Sequence, residues 1–134
     1  METVQTQFPS SETASRSARA FLRATLKTWA LNGLGEVTEL LTSELVSNVV
    51  RHVGSNIILR AIHDDEQVRV EVDDTSAALP MIQHPRALDL GGRGMVLVDT
   101  LADRWGTDLH PGGKTVWFEI DARRASGAMH SALA

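Results

Sequence analysis

The sequence contains no cysteine, no long apolar run and no excess of basic residues, and each absence excludes a class of protein. Without cysteine there can be no disulfide bond and no thiolate metal site, so we expect a reducing, cytoplasmic setting. No apolar run approaches the roughly 20 residues that a membrane-spanning helix requires. The formal net charge of −4 argues against a dedicated DNA or RNA binder, which normally has a basic face. A soluble protein whose partners are other proteins remains.

Several short motifs with known chemistry are also absent. The N-terminal residues form neither a basic nor an apolar stretch, so we expect no signal peptide. The five histidines show no His-Glu-x-x-His or other zinc-ligand spacing. The Gly-x-Ser-x-Gly pattern of a hydrolase nucleophile does not occur. A zinc enzyme and a hydrolase with a catalytic triad are therefore not supported.

The pattern of apolar and turn residues predicts one domain of mixed α and β structure. At 134 residues the chain has the length of a single domain, residues 1–134, and shows no repeat or linker. We expect an edge strand, two helices, two strands, a long connection, a third helix and a last strand. The edge strand is predicted at 3–8, and the first helix follows the N-cap residues 10–12 and extends to about 31. The second helix follows residues 35–36 and ends at 54–55. The later elements are predicted, in order, at 56–62, 67–72, 74–94, 93 to 101 or 105, and 115–120. The core should span about 4–121, and the tail from Arg123 to residue 134 should be disordered.

Glu44 and Asn48 stand four residues apart on the second predicted helix, so they share a face. That face lies close to an apolar stripe formed by Val37, Leu40, Leu41, Leu45 and Val49. A carboxylate buried without a partner costs several kcal/mol. Two interpretations are open. A metal ion with bound phosphates supplies the partner, or the helix is rotated enough for Glu44 to reach water.

Three further clusters follow this helix along the chain. Asp74, with Ser76 beside it, ends a strand and could accept a hydrogen bond from a nucleobase amino group, or simply cap a turn. The glycines of 91–94 open a helix, where free N–H groups and a close backbone approach suit a phosphate, although a hinge would use the same residues. The spacing of a Walker phosphate-binding loop is absent. The segment 112–115 indicates a hairpin turn.

Taken in this order, the four clusters resemble the GHKL ATPases. Within that superfamily, residues 44–52, 91–106 and 113–119 are similar to the small anti-sigma-factor serine/threonine kinases of actinobacteria. The resemblance covers about residues 4–121. It implies an α/β (α+β) two-layer sandwich of the GHKL, or Bergerat, type, with a mixed, mostly antiparallel sheet covered on one face by three helices.

The resemblance also implies roles for individual residues, with ATP and Mg²⁺ as cofactors. Asn48 would ligate Mg²⁺, and Glu44 would act as the general base or polarising carboxylate. Asp74, beside Ser76, would read the adenine amino group, and Thr115 would support the hydrogen bonds on that side.

Other residues of the implied site belong to the phosphate side. Gly92 and Gly94 would let the backbone of a lid wrap the phosphates. Arg86 or Arg93 would provide the charge that faces them, and the sequence does not choose between the two. Arg51 and Met95 are also placed in the nucleotide site.

Two functions remain open at this stage. In the first, the protein is a protein kinase that transfers the γ-phosphate of ATP to a serine or threonine of an anti-anti-sigma (STAS-domain) protein, sequesters a sigma factor, or does both. In the second, it is a non-catalytic module that uses ATP only to hold one of these partners. A histidine-kinase catalytic domain is disfavoured because no histidine precedes His52. A homodimer is possible, whereas direct contact with nucleic acid or a membrane is not expected.

Overall fold

The computed structural model describes residues 1–76 and 90–125, and they form two layers. One layer is a five-stranded sheet, and the other consists of three helices. The elements are β1 (Glu2–Phe8), α1 (Ala14–Thr28), α2 (Gly35–His52), β2 (Ile57–His63), β3 (Gln67–Asp74), α3 (Leu90–Leu101), β4 (Arg104–His110) and β5 (Gly113–Asp121). Short 3-10 turns follow α1 and β5, at Asn32–Leu34 and Ala122–Ala125. The predicted two-layer α/β sandwich is confirmed.

The sheet has the strand order β1-β2-β3-β5-β4. All four pairings between these strands are antiparallel, so the expectation of a partly mixed sheet was wrong for the described strands. In β3, Val68, Val70 and Val72 are buried while the charged residues between them are partly exposed. This alternation confirms that the helices cover one face of the sheet, as the period-two pattern predicted.

The core lies between this sheet face and the helices. Leu22 and Leu26 come from α1, Leu41 and Leu45 from α2, and Phe118 from the interior strand β5. Each of these side chains is at most 3% exposed. The helix α1 packs along α2, and α3 packs against α2 on its other side. The central position of α2 therefore sets the orientation of the residues that it carries.

The structure differs from the sequence-based expectation at the C-terminal end. The third helix was expected to begin at Arg93, but it begins at Leu90. Strand β4 was not predicted at all, because it is an edge strand whose residues are mostly exposed and lack a strong apolar alternation. Arg123 was expected to begin a disordered tail, yet it belongs to the second 3-10 turn. The tail residues 126–134 lie outside the described part.

Candidate functional site

The helix α2 is rotated relative to its predicted apolar stripe. The buried residues are Thr38, Leu41, Thr42, Leu45, Val46 and Val49. Leu40, which the pattern placed toward the core, is 40% exposed. Glu44 and Asn48 lie one and two turns further along the same face and are partly exposed. The structure therefore favours the interpretation in which Glu44 reaches water at the edge of the stripe.

The polar atoms on this face have few partners. Arg51 Nη2 donates a hydrogen bond to Asn48 Oδ1 at 3.2 Å, which brings two of the predicted site residues together. Within residues 1–76 and 90–125, the Glu44 carboxylate makes no hydrogen bond or ion pair. A partly exposed carboxylate without a protein partner is available to a ligand or to a partner protein.

Asp74 lies at the end of β3, on the sheet face that the helices cover. It follows Val68, Val70 and Val72 in the same alternation and is buried. The backbone N–H of Ser76 donates to Asp74 Oδ1 at 2.7 Å, which is the turn-capping bond that the sequence offered as one explanation. The strand register sets Asp74 opposite Lys114, whose Nζ lies 3.0 Å from Asp74 Oδ2. This buried ion pair is not explained by a turn.

Thr115 does not join Asp74, because it points to the other face of the sheet. Its register partner is Asp73, and its hydroxyl donates to Asp73 Oδ1 at 2.6 Å. Asp73 is also bound by Arg60, with Nη2 2.8 Å from each carboxylate oxygen. The resemblance implied that Thr115 supports the hydrogen bonds on the adenine side, whereas in the structure it is Lys114 that lies next to Asp74. The period-two alternation of β5 could have shown this, since residue 114 is in phase with buried Val116, Phe118 and Ile120.

Gly113 allows the ends of β3 and β5 to meet beside Asp74. A Cβ atom at Gly113 would lie 1.9 Å from the backbone oxygen of Asp74 and 2.8 Å from the Cα of Thr75. Its neighbour Gly112 has φ 87° and open space around the missing Cβ. Gly112 lies in the predicted hairpin turn between β4 and β5, and Gly113 begins β5 opposite His110, so each glycine is required for a different reason.

The helix α3 begins with the residues that the resemblance assigns to phosphate binding. Gly92, Arg93 and Gly94 lie in its first turns, while Met95 is 1% exposed and belongs to the core. Free backbone N–H groups at a helix N-terminus favour an anion. Residues 77–89 of the long connection expected at 74–94, Arg86 among them, lie outside the described part, as does the side chain of Arg93.

Two general surveys of the described residues bear on cofactor and environment. No three histidine, aspartate or glutamate side chains of this part of the chain lie close enough together to hold a metal ion. None of its helices is long and apolar enough to cross a membrane.

Comparisons with known proteins concern the family and the fold of the chain. Residues 8–120 match the model of the histidine kinase-like ATPase domain. No curated protein matches the sequence.

Among solved structures, the fold is similar to the crystal structure of the RsbU and RsbW domains of Rv1364c from Mycobacterium tuberculosis, with a TM-score of 0.68 and 20% sequence identity. The similarity covers 90% of this chain and 32% of the other, so this chain spans about a third of that protein. At this identity, the likeness concerns the fold. Because the family model covers most of the sequence, the chain belongs to the histidine kinase-like ATPase domain family, which confirms the resemblance to the GHKL ATPases.

Proposed function

We propose that this protein binds ATP with Mg²⁺ and transfers the γ-phosphate to a serine or threonine of a partner protein. The observation that carries the proposal is the position of Asp74. Its buried carboxylate ends a strand on the helix-covered side of the sheet, in a chain that belongs to an ATPase domain family. The bound nucleotide would lie between α2 and the segment that leads into α3, with the adenine at Asp74.

The adenine end has a suitable acceptor. Asp74 Oδ1 accepts hydrogen bonds from the Ser76 N–H and from Lys114, whereas Oδ2 has an ion-pair contact with Lys114 Nζ at 3.0 Å and no hydrogen bond among the described groups. A carboxylate oxygen has about two acceptor positions, so Oδ2 keeps one for the adenine amino group. A hydrogen bond to a charged acceptor is worth roughly 1.5–3 kcal/mol. That is enough to distinguish adenine from a base that lacks the amino group.

The phosphate end would be formed by α2 and by the start of α3. Asn48 Oδ1 would ligate Mg²⁺, and the rest of the coordination would come from phosphate oxygens and water, which this ion commonly keeps in nucleotide sites. The ion supplies charge neutralisation at the transferring phosphoryl group. Arg51, which contacts Asn48, would face a phosphate. The backbone at Gly92 and Gly94 would approach the phosphates closely, as their lack of a side chain allows.

Glu44 would act on the hydroxyl of the partner protein. In this step the hydroxyl oxygen bonds to the γ-phosphorus, the bond from that phosphorus to the bridging oxygen breaks, and ADP leaves with the electron pair. The hydroxyl proton passes to the Glu44 carboxylate. Such a general base contributes about 10²–10⁴-fold in rate. The partly exposed position of Glu44 supports this role, because a protein substrate must reach it from solvent.

The partner would be an anti-anti-sigma protein with a STAS domain, a sigma factor, or both. The fold likeness to a protein whose crystal structure contains an RsbW domain supports this choice. In this function the chain regulates transcription by exchanging one partner for the other. A homodimer through surfaces away from the lid is compatible with it.

A non-catalytic ATP-dependent binding module is the second candidate. The observation that favours it is the weak metal site: Asn48 is the sole proposed protein ligand, and its Oδ1 already accepts a hydrogen bond from Arg51. In this case ATP would order the partner-binding surface, and no phosphate would move.

The deciding experiment incubates the protein with γ-labelled ATP and a candidate STAS-domain protein. Transfer of label to the partner is expected, with loss of transfer and retained ATP affinity in Glu44→Gln. Glu36→Gln, an exposed carboxylate on the first turn of the same helix, is the matched control and should transfer normally. Tight ATP binding without transfer to any cognate partner would favour the non-catalytic module. Failure to bind ATP would refute both functions.

A further inference from the structure

The buried partner of Asp74 is a lysine, and no motif in the sequence indicated it. Lys114 Nζ lies 3.1 Å from Asp74 Oδ1 and 3.0 Å from Oδ2. Only 6% of the Lys114 side chain and 2% of the Asp74 side chain are exposed. Lysine side chains usually extend their ammonium group into water, so complete burial of this one at the end of a strand requires an explanation.

We propose that Lys114 is a positioning residue for adenine recognition, which holds the Asp74 carboxylate charged and oriented so that Oδ2 accepts the adenine amino group. The inference rests on the proposed ATP site and adds a residue to it. Lys114 and the Ser76 N–H together fix the carboxylate from two directions, with the N–H on Oδ1 at 2.7 Å. The acceptor position that remains on Oδ2 therefore has a defined direction.

The charge of Lys114 matters as much as its position. A carboxylate buried without a compensating cation is strongly disfavoured. If the ammonium is removed, the buried carboxylate loses its compensating charge and is expected to turn toward water, which takes the acceptor away from the amino group. A hydrogen bond to a charged acceptor is about twice as strong as one between neutral groups, so selectivity for adenine depends on keeping Asp74 charged.

A purely structural ion pair is the competing explanation, because Lys114 also connects the ends of β3 and β5. The two explanations predict different effects on nucleotide binding. A structural pair changes stability and affects all nucleotides alike. A positioning residue changes the preference for the amino group, whether or not stability also changes.

The test compares two nucleotides in calorimetry, ATP and purine riboside 5′-triphosphate, which lacks the 6-amino group. The wild-type protein should bind ATP roughly ten- to a hundredfold more tightly, the effect of one charge-assisted hydrogen bond. In Lys114→Met the preference should fall to within about threefold, through weaker binding of ATP and nearly unchanged binding of the purine analogue. If Lys114→Met does not fold, Lys114→Gln, whose amide can still donate to Asp74, takes its place and should lose most of the preference.

Arg60→Met is the matched control. It removes the cation from the neighbouring carboxylate, Asp73, on the opposite face of the sheet. This variant should lose stability and keep the full preference for ATP. A loss of preference in both variants would show that it follows from general destabilisation and would overturn the inference.

The remaining outcomes separate this inference from the proposed function. A folded Lys114 variant that retains the wild-type preference for ATP, or that binds ATP more tightly than wild type does, would overturn the role of Lys114 and leave the ATP site standing. Wild-type protein that binds neither nucleotide would refute the proposed function itself.

Discussion

Substitution of Gly113 by alanine should disrupt the adenine end of the site far more than the same change at Gly112. At Gly113 the added Cβ would lie 1.9 Å from the Asp74 backbone oxygen, 2.9 Å from its carbonyl carbon and 2.8 Å from Thr75 Cα. All three atoms belong to the backbone, so no side chain can rotate away. The end of β3 must retreat by more than about 1 Å, which a close-packed interior resists.

The cost of each change can be worked out from the backbone geometry. At Gly112 the φ of 87° requires an alanine in the left-handed region, and nothing contacts its Cβ. That change should cost roughly 1–2 kcal/mol. Gly113 has φ 158° and adds the overlap with Asp74. Overpacking typically adds about 1–3 kcal/mol, so we expect a total loss of about 2–5 kcal/mol for Gly113→Ala.

Urea denaturation of the two variants and the wild type measures this difference. Equal slopes with a lower midpoint would show a change in stability alone. Gly113→Ala should also weaken ATP binding, because displacement of the β3 end moves the Asp74 carboxylate from Lys114. The reasoning is refuted if the free energies of unfolding of the two alanine variants agree within about 0.5 kcal/mol.

Three other predictions concern separate parts of the molecule. Asp74→Asn should weaken ATP binding by about 1–3 kcal/mol in calorimetry, because an amide cannot accept hydrogen bonds from both the adenine and Lys114 as the carboxylate does. Asp73→Asn, on the opposite face of the sheet, should bind ATP as wild type does. Equal losses of affinity in the two variants would show that the site is misplaced. Thr42→Val should raise the free energy of unfolding by about 1 kcal/mol in urea denaturation, because the buried Thr42 hydroxyl has no hydrogen-bond partner in the described structure. A lower free energy of unfolding in the variant would contradict this prediction. Hydrogen bonds from the Arg123 side chain and backbone lower the pKa of Asp121 to about 2 from 3.8, so this carboxylate contributes stability above pH 3.8 that is lost as the pH falls through 2. NMR titration should show the low midpoint, and Arg123→Gln should move it toward 3.8; an unchanged midpoint would exclude the arginine as its cause.

Much of the architecture could be predicted from the spacing of apolar residues along the sequence. The alternation of valines with charged residues in β3 predicted one covered sheet face, and the helical spacing in α1 and α2 predicted two helices packed on it. Glycine pairs marked the hairpin before β5. These features depend on side-chain direction along a single element, which local sequence encodes. Strand β4 was not predicted, because an edge strand that is paired on one side only needs no strong apolar pattern.

The candidate site shows where local sequence is insufficient. The order of its motifs along the chain indicated the family, and the spacing of Glu44 and Asn48 predicted their common face. The rotation of α2, which leaves Leu40 exposed and Glu44 partly exposed, depends on how α1, α3 and the sheet pack around the helix. The sequence of α2 cannot predict such a rotation, because apolar residues lie at both edges of its apolar stripe.

The sequence by itself determined the composition of the two layers and the family, and it predicted a set of candidate site residues. Only the tertiary structure decided which of two adjacent residues, Lys114 or Thr115, lies beside Asp74. That choice follows from the register between β3 and β5, which are separated by about 40 residues of chain. Register is fixed by the packing of Val116, Phe118 and Ile120 into the core, and a shift of one residue would send Lys114 to the opposite face.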